Sequence, residues 1–180
     1  MEARLKEKYK NQILKELSKE LGRKNHMSLP KIKKVVVNMG IGRFKDDKGL
    51  IATCEKEFAL ICGQKPRLRS AKKSISNFKV RQGDVIGMSA TLRGDKMWVF
   101  LDKLLNIVLP RVRDFRGVSK KAFDGNGNYT LGLKEHTVFP EINPNTVDKI
   151  KSLEVTIATS GGSNEETYLL LSKLGMPFEK

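Results

Sequence analysis

Residues 64–81, QKPRLRSAKKSISNFKVR, carry the densest chemistry in the chain. Lys65, Arg67, Arg69, Lys72, Lys73, Lys79 and Arg81 place seven positive charges there, with no acid among them. Such a run repels itself unless a polyanion neutralises it. Cationic side chains offset phosphate charge and release condensed counterions, so nucleic acid is the fitting partner. Gln64, Ser70, Ser74, Ser76 and Asn77 add uncharged donors. Phe78 adds a ring face on which a base or ribose could pack. The competing reading is a solvated loop whose charge serves solubility alone.

A second basic stretch, RVRDFRGVSKKAF, spans residues 111–123. Arg111, Arg113, Arg116, Lys120 and Lys121 outnumber Asp114 there. Contact with nucleic acid and a loop fixed by an Asp114–Arg pair stand as equal alternatives. The whole chain repeats the bias. Its 180 residues hold 35 Lys and Arg against 20 Asp and Glu, a net charge of +15. Excess of this size favours a polyanionic partner, nucleic acid ahead of a membrane surface or an acidic protein.

Other chemistry finds little support. Gly40-Ile41-Gly42 fails as a dinucleotide motif, because Lys45 stands where the third glycine belongs. His26 and His136 lie in connectors without metal-binding spacing. Cys54 and Cys62 are too few for a disulfide framework or a zinc site. No acid, base or metal set converges, so no catalytic residue, cofactor, metal or small-molecule substrate is expected. The charged N-terminus, MEARLKEKYK, lacks the apolar stretch of a signal peptide. No segment has the length of a membrane span. A cytosolic protein is expected.

The elements that must position the basic run follow from periodicity. Leu5, Tyr9, Ile13, Leu17 and Leu21 recur every four residues and predict a helix over 3–21, stopped at Gly22. Residues 32–39 predict a strand with Val35, Val37 and Met39 on one face and Lys34, Val36 and Asn38 on the other. A helix is expected over 48–62, ended by Gly63. A short strand over 65–69 puts Lys65, Arg67 and Arg69 on one face, and a basic loop follows to about Gly83. In a strand over 86–93, Met88, Ala90 and Leu92 alternate with Ser89, Thr91 and Arg93. Asp95 is the expected cap of a third helix, with Met97, Trp98, Leu101, Leu104, Leu105 and Val108 inward and Pro110 as its end. Trp98 is expected to fill the core under the sheet. A turn over 123–128, strands over 129–133 and 153–158, and a last helix opened by Ser163 and Glu166 complete the order. Glu165 and Glu166 suit that helix's dipole. The prediction is α+β: a single domain over 1–180, with a mainly antiparallel sheet, helices on one face and the other face open.

Residues 60–74, LICGQKPRLRSAKKS, resemble the signature segment of the bacterial large-subunit ribosomal protein five family, the 5S rRNA-binding protein of the central protuberance. The resemblance continues in order through Val37-Asn38-Met39-Gly40, Thr91-Leu92-Arg93-Gly94, residues 110–117, residues 123–129 and Phe139-Pro140-Glu141. It covers essentially the whole chain. It implies an RNA-recognition-like sandwich whose open sheet face and adjoining loops pack on 5S rRNA. Asn38, Gln64, Phe78 and Thr91 match the family's RNA contacts, beside the cations Lys65, Arg67, Arg69, Lys72, Lys73 and Arg93. The loop with Ser74, Ser76, Asn77, Lys79 and Arg81 matches an extension toward the peptidyl-site tRNA. The resemblance further implies large-subunit rRNA, other central-protuberance proteins and small-subunit protein thirteen as partners. Residues 135–145 are the expected intersubunit segment, because their acids suit a basic partner. The implied role is structural, on the cytoplasmic ribosome. A messenger-RNA-binding regulator and an RNA-modifying enzyme are the alternatives.

Overall fold

The structure is a computed structural model that describes residues 3–147 and 149–179. The four expected helices and five expected strands are all present, in the expected order. Helix α1 covers residues 4–20 as Arg4–Lys8, a π turn Tyr9–Ile13, and Leu14–Glu20. The strict four-residue spacing of its apolar side chains explains the π turn. In an α-helix each four-residue step overshoots a full turn by roughly 40°. The wider turn takes up that drift and returns Ile13 and Leu17 to the buried side.

Helix α2 is Lys48–Cys62, started by Asp47, whose side chain accepts from the Leu50 N–H at 3.0 Å. It ends at Gly63, which adopts the left-handed φ of 62° that a helix C-terminus favours. Helix α3 covers residues 94–111 as Gly94–Lys103, a π turn Leu104–Val108, and Leu109–Arg111. Helix α4 is Asn164–Leu174, capped by Ser163, whose hydroxyl accepts from the Glu166 N–H at 3.2 Å.

Two expectations about α3 fail. Asp95 is not the cap; Arg93 holds that position and makes no side-chain cap bond. Asp95 sits in the first turn and accepts from Lys6 Nζ at 2.7 Å. That ammonium holds its carboxyl below the usual carboxylate range. Pro110 does not close the helix either, which runs on to Arg111. A proline ring crowds the preceding turn and lacks the N–H for it, and the π turn lies just ahead of it.

The strands are β1 Ile32–Gly40, β2 Arg67–Ser70, β3 Val85–Leu92, β4 Tyr129–Leu133 and β5 Leu153–Thr159. They form one sheet in the order β2-β3-β1-β5-β4. β2 and β3 pair antiparallel, Arg67 opposite Ser89. The end of β1 meets the start of β3, Ile41 N donating to the Ile86 carbonyl at 2.9 Å. The start of β1 meets the end of β5, Ser160 N donating to the Lys31 carbonyl at 2.8 Å. Neighbours in this sheet therefore run antiparallel. Val35, Val37, Met39, Met88, Ala90, Leu92, Val155 and Ile157 are buried, while Val36, Asn38, Thr91, Glu154 and Thr156 between them keep contact with water. One face of the sheet carries the core and the helices, and the other is open. β2 begins at Arg67, so Lys65 lies outside the strand that was to include it.

The chain divides into two compact units, Met1–Val35 with Leu92–Leu131 and Thr156–Lys180, and Val36–Thr91 with Gly132–Val155. In the first, the Tyr9 and Trp98 rings meet at 5.3 Å, so Trp98 packs against α1. Arg4 reaches Asp102 at 2.8 Å, and Lys173 reaches Glu16 and Glu20 at 3.0 and 2.7 Å. Glu166 does not close a reciprocal capping box; it binds Arg23 at 2.5 Å. The second unit holds α2, β2 and the basic run. No helix among the described residues is long and apolar enough to cross a membrane.

The turn after Phe123 is tied into the first unit's core. Asp124 accepts from the Asn126 and Asn128 backbone N–H groups at 2.9 Å and from Asn128 Nδ2 at 2.6 Å. Gly127 sits at φ 78°, and its carbonyl accepts from Thr159 Oγ1 at 2.8 Å. A Cβ there would stand 2.6 Å from the Gly161 carbonyl oxygen and 2.9 Å from Thr167 Oγ1. Gly127→Ala is expected to cost about 1–3 kcal/mol in backbone strain, with the clash added. Urea unfolding checks this, and an unchanged midpoint contradicts it.

Candidate nucleic-acid interface

The side chains of residues 72–79 are all exposed. Phe78 is 74% exposed and Ile75 48%, unusual values for large apolar groups in water. Arg67, Lys72, Lys73 and Lys79 have no acidic partner within 4 Å among the described residues. Lys65 stands 3.7 Å from Glu55. Gln64 is half-buried beside Gly63. The basic run is thus presented to solvent with its charge largely uncompensated.

β2 fixes where the cations stand. It is the edge strand, and Arg67 and Arg69 alternate onto the open face. Arg69 Nε donates to Ser89 Oγ at 2.8 Å, which explains why Ser89 is buried on an otherwise open face. Thr91 lies two residues along β3, exposed. On β1, Asn38 Nδ2 donates to Glu154 Oε2 at 3.3 Å. The second unit thus brings Asn38, Arg67, Arg69 and Thr91 to the open side of the sheet. Arg93 is exposed at the start of α3 and belongs to the first unit. Glu154 is the residue the sequence did not flag here. Its acid faces the same solvent as the cations.

Residues 71–84 leave β2 and return to β3 as a folded loop. Ile75 and Val80 exchange backbone hydrogen bonds at 2.9 and 3.2 Å. Gln82 N donates to Ser74 Oγ at 2.9 Å. Ser76, Asn77 and Phe78 form a short 3₁₀ turn, closed by Lys79 at φ 52°. A cleft of about 890 Å³ opens beside this loop, with Phe44, Ile75, Phe78, Ile86 and Ile150 as apolar walls. Arg43, Lys72 and Lys73 stand at its rim. Apolar walls with a cationic rim suit an unstacked base and its flanking phosphates.

The second basic stretch is exposed at Arg111, Arg113, Arg116, Lys120 and Lys121. Asp114 makes no ion pair among the described residues, so the loop-fixing alternative loses its basis. Its backbone adopts φ 50°.

Sequence reading also missed a buried polar cluster in the second unit. Lys151 is 3% exposed, and its Nζ binds Glu57 Oε2 at 2.7 Å. His136, fully buried, accepts from the Lys151 backbone N–H through Nδ1 at 3.2 Å. Its Nε2 faces Glu57 at 3.4 Å. His136, expected only as a connector residue, is thus part of the second unit's core. Nearby Cys54 is buried too, and burial raises its thiol pKa. Among the described residues no group of three or more His, Cys, Asp or Glu is arranged to hold a metal ion.

An antiparallel sheet open on one side, with an exposed cationic loop at its edge strand, puts this chain among the α+β proteins suited to bind a polyanion. Residues 25–81 match the family described as Ribosomal protein L5, and residues 85–178 match the ribosomal L5P family C-terminus. The chain belongs to the ribosomal protein L5 family, whose members are structural proteins and not enzymes. It is 53% identical to the large ribosomal subunit protein uL5 of Anaeromyxobacter sp. (strain K) over 180 residues, all of both chains. It is likewise 53% identical to the uL5 protein of Geobacter sulfurreducens over 176 residues, 98% of each. Against that of Mycoplasma mycoides subsp. mycoides SC the identity is 52% over 180 residues, all of both chains.

Burial holds the His136 pKa below its ordinary value, opposed by Glu57. Protonating this imidazole is harder in the folded protein than in the unfolded chain, which takes up the proton at about pH 6.5. The stability this group contributes is complete above that pH and is lost as pH falls through the folded pKa. Thermal unfolding from pH 8 to 5 should show the loss, and His136→Gln should flatten it. Lys151→Met leaves Glu57 without its partner and is expected to destabilise by about 3 kcal/mol. Adding Glu57→Gln should recover part of that loss in the same assay.

Proposed function

We propose that this protein binds 5S rRNA and fastens it to the large ribosomal subunit in the central protuberance. Membership of the family makes it a structural protein of the large subunit, on the ribosome in the cytoplasm. The finer reading rests on the exposed cations of the 64–81 run beside an open sheet face. Asn38, Gln64, Lys65, Arg67, Arg69, Lys72, Lys73, Phe78, Thr91 and Arg93 are its contacts to 5S rRNA. Phosphate neutralisation supplies most of the affinity. Phe78, exposed beside the cleft, supplies a stacking face.

The tip of the loop, with Ser74, Ser76, Asn77, Lys79 and Arg81, faces the peptidyl-site tRNA in this reading. The exposed cations of 111–121 suit large-subunit rRNA. Residues 135–145 contact small-subunit protein thirteen, and other central-protuberance proteins complete the surroundings. Exposed Glu141 supports an acidic surface on that segment.

Binding is tested with 5S rRNA against duplex DNA of equal length across a salt series. Tight, salt-dependent binding to the RNA alone is expected; equal affinity for both contradicts the proposal. Arg67→Ala should weaken RNA binding and lower the salt slope by about 0.7–0.9. Phe78→Ala should cost about 1–3 kcal/mol of binding and leave the slope unchanged, because stacking carries no charge. Both side chains are exposed, so the unfolding midpoint should hold. Glu154→Gln removes the acid beside Asn38 and should tighten binding by about 0.3–1 kcal/mol.

A further inference from the structure

The Gly40–Lys45 segment, which fails as a nucleotide motif, ends in a lysine with a different task. Lys45 follows β1 through the 3₁₀ turn Gly42–Phe44. Its Nζ reaches Asp84 Oδ2 at 3.0 Å and donates to the Lys79 carbonyl. Asp84 Oδ2 also accepts from the Arg81 N–H at 2.9 Å. The pair is partly shielded, with side-chain exposures of 15% for Lys45 and 28% for Asp84. Asp84 is the one acid among residues 64–84.

The loop ends close on the same point. Ala71 N donates to the Asp84 carbonyl at 2.8 Å, and Gly83 N to the Ala71 carbonyl at 3.0 Å. Lys72, Lys73, Lys79 and Arg81 repel one another across this short loop, and Lys79 sits in the left-handed region at φ 52°. Something must hold the backbone against both effects. Lys45 does so from the end of a core strand, binding the corner carbonyl and the acid that collects the Arg81 N–H.

We propose that Lys45 and Asp84 are positioning residues for RNA binding, holding residues 71–84 in the shape that presents Lys72, Lys73 and Phe78 together. This rests on the reading that the loop contacts RNA. A loop formed in advance saves the ordering cost that a mobile one incurs on binding. The acid therefore helps a cationic site bind an anion.

Removing an acid beside a phosphate-binding loop strengthens binding if charge alone matters. Asp84→Ala is instead expected to weaken 5S rRNA binding by about threefold to tenfold, the scale of one partly shielded pair with a charge-assisted bond. Lys45→Met should weaken it similarly without changing the salt slope, because Lys45 does not touch phosphate. Lys45→Arg, which keeps the pair, should retain affinity. In the free protein, hydrogen exchange at the Val80, Arg81 and Gln82 amides should quicken in Asp84→Ala and Lys45→Met alone. Tighter binding by Asp84→Ala overturns the proposal. So does a salt slope lowered by about 0.7–0.9 in Lys45→Met, which makes that lysine a phosphate ligand. Should Asp84→Ala fail to fold, Lys45→Met and Lys45→Arg carry the comparison. Should the wild-type protein not bind 5S rRNA, the functional reading fails separately, and unchanged exchange in the variants still overturns the positioning role.

Discussion

In β1, β4 and β5, alternate side chains are withdrawn from water while those between them are not. Val35, Val37 and Met39 are buried on β1, and Asn38 between them reaches the solvent side. The same alternation sets Met88 and Ala90 against Thr91 on β3, and Val155 against Glu154 on β5. A strand can hold its register only while its apolar set faces the core. Burial on one face thus decides which polar groups the other face offers. All four side chains of the edge strand β2 are exposed, and its pairing with β3 sets Arg67 and Arg69 on the side of Ser89 and Thr91.

Charge acts on top of this scaffold and is handled differently in different places. Where acids are available the cations pair, as Lys151 does with Glu57 and Lys173 with Glu16 and Glu20. Exposed cations are dense in the 64–81 run and in 111–121. In the proposed reading, a polyanion would meet these regions with few of the protein's own carboxylates in competition. Among the acids near these regions, Glu154 and Asp84 act in opposite senses. The first faces the open sheet as a repulsive group. The second ties down the loop that carries the attraction.

Much of the fold was legible in the sequence, because burial writes its period into the apolar residues. The spacing of Cys54, Phe58 and Ile61 sets α2, and the alternation around Thr91 sets β3. The two π turns were not legible, since period alone does not tell a drifting α-helix from one that widens to stop the drift. Asp95 misled because an acid near a helix start serves either as a cap or as an ion-pair partner, and Lys6 lies 89 residues away in sequence. The exposed cations and Phe78 were readable from composition. Lys45, Asp84 and the cluster of Glu57, His136 and Lys151 were not. Each depends on residues brought together by the fold, and each looks ordinary in its own segment.

The 64–81 run and the open sheet face are proposed to meet 5S rRNA. Photo-crosslinking of the protein in assembled large subunits, with the linked peptides sequenced, tests it most directly. Crosslinks from 5S rRNA to the peptides carrying Asn38, Arg67 and Phe78 are the expected result. Crosslinks from 5S rRNA confined to residues 111–121, with the 64–81 run unlinked, would contradict it.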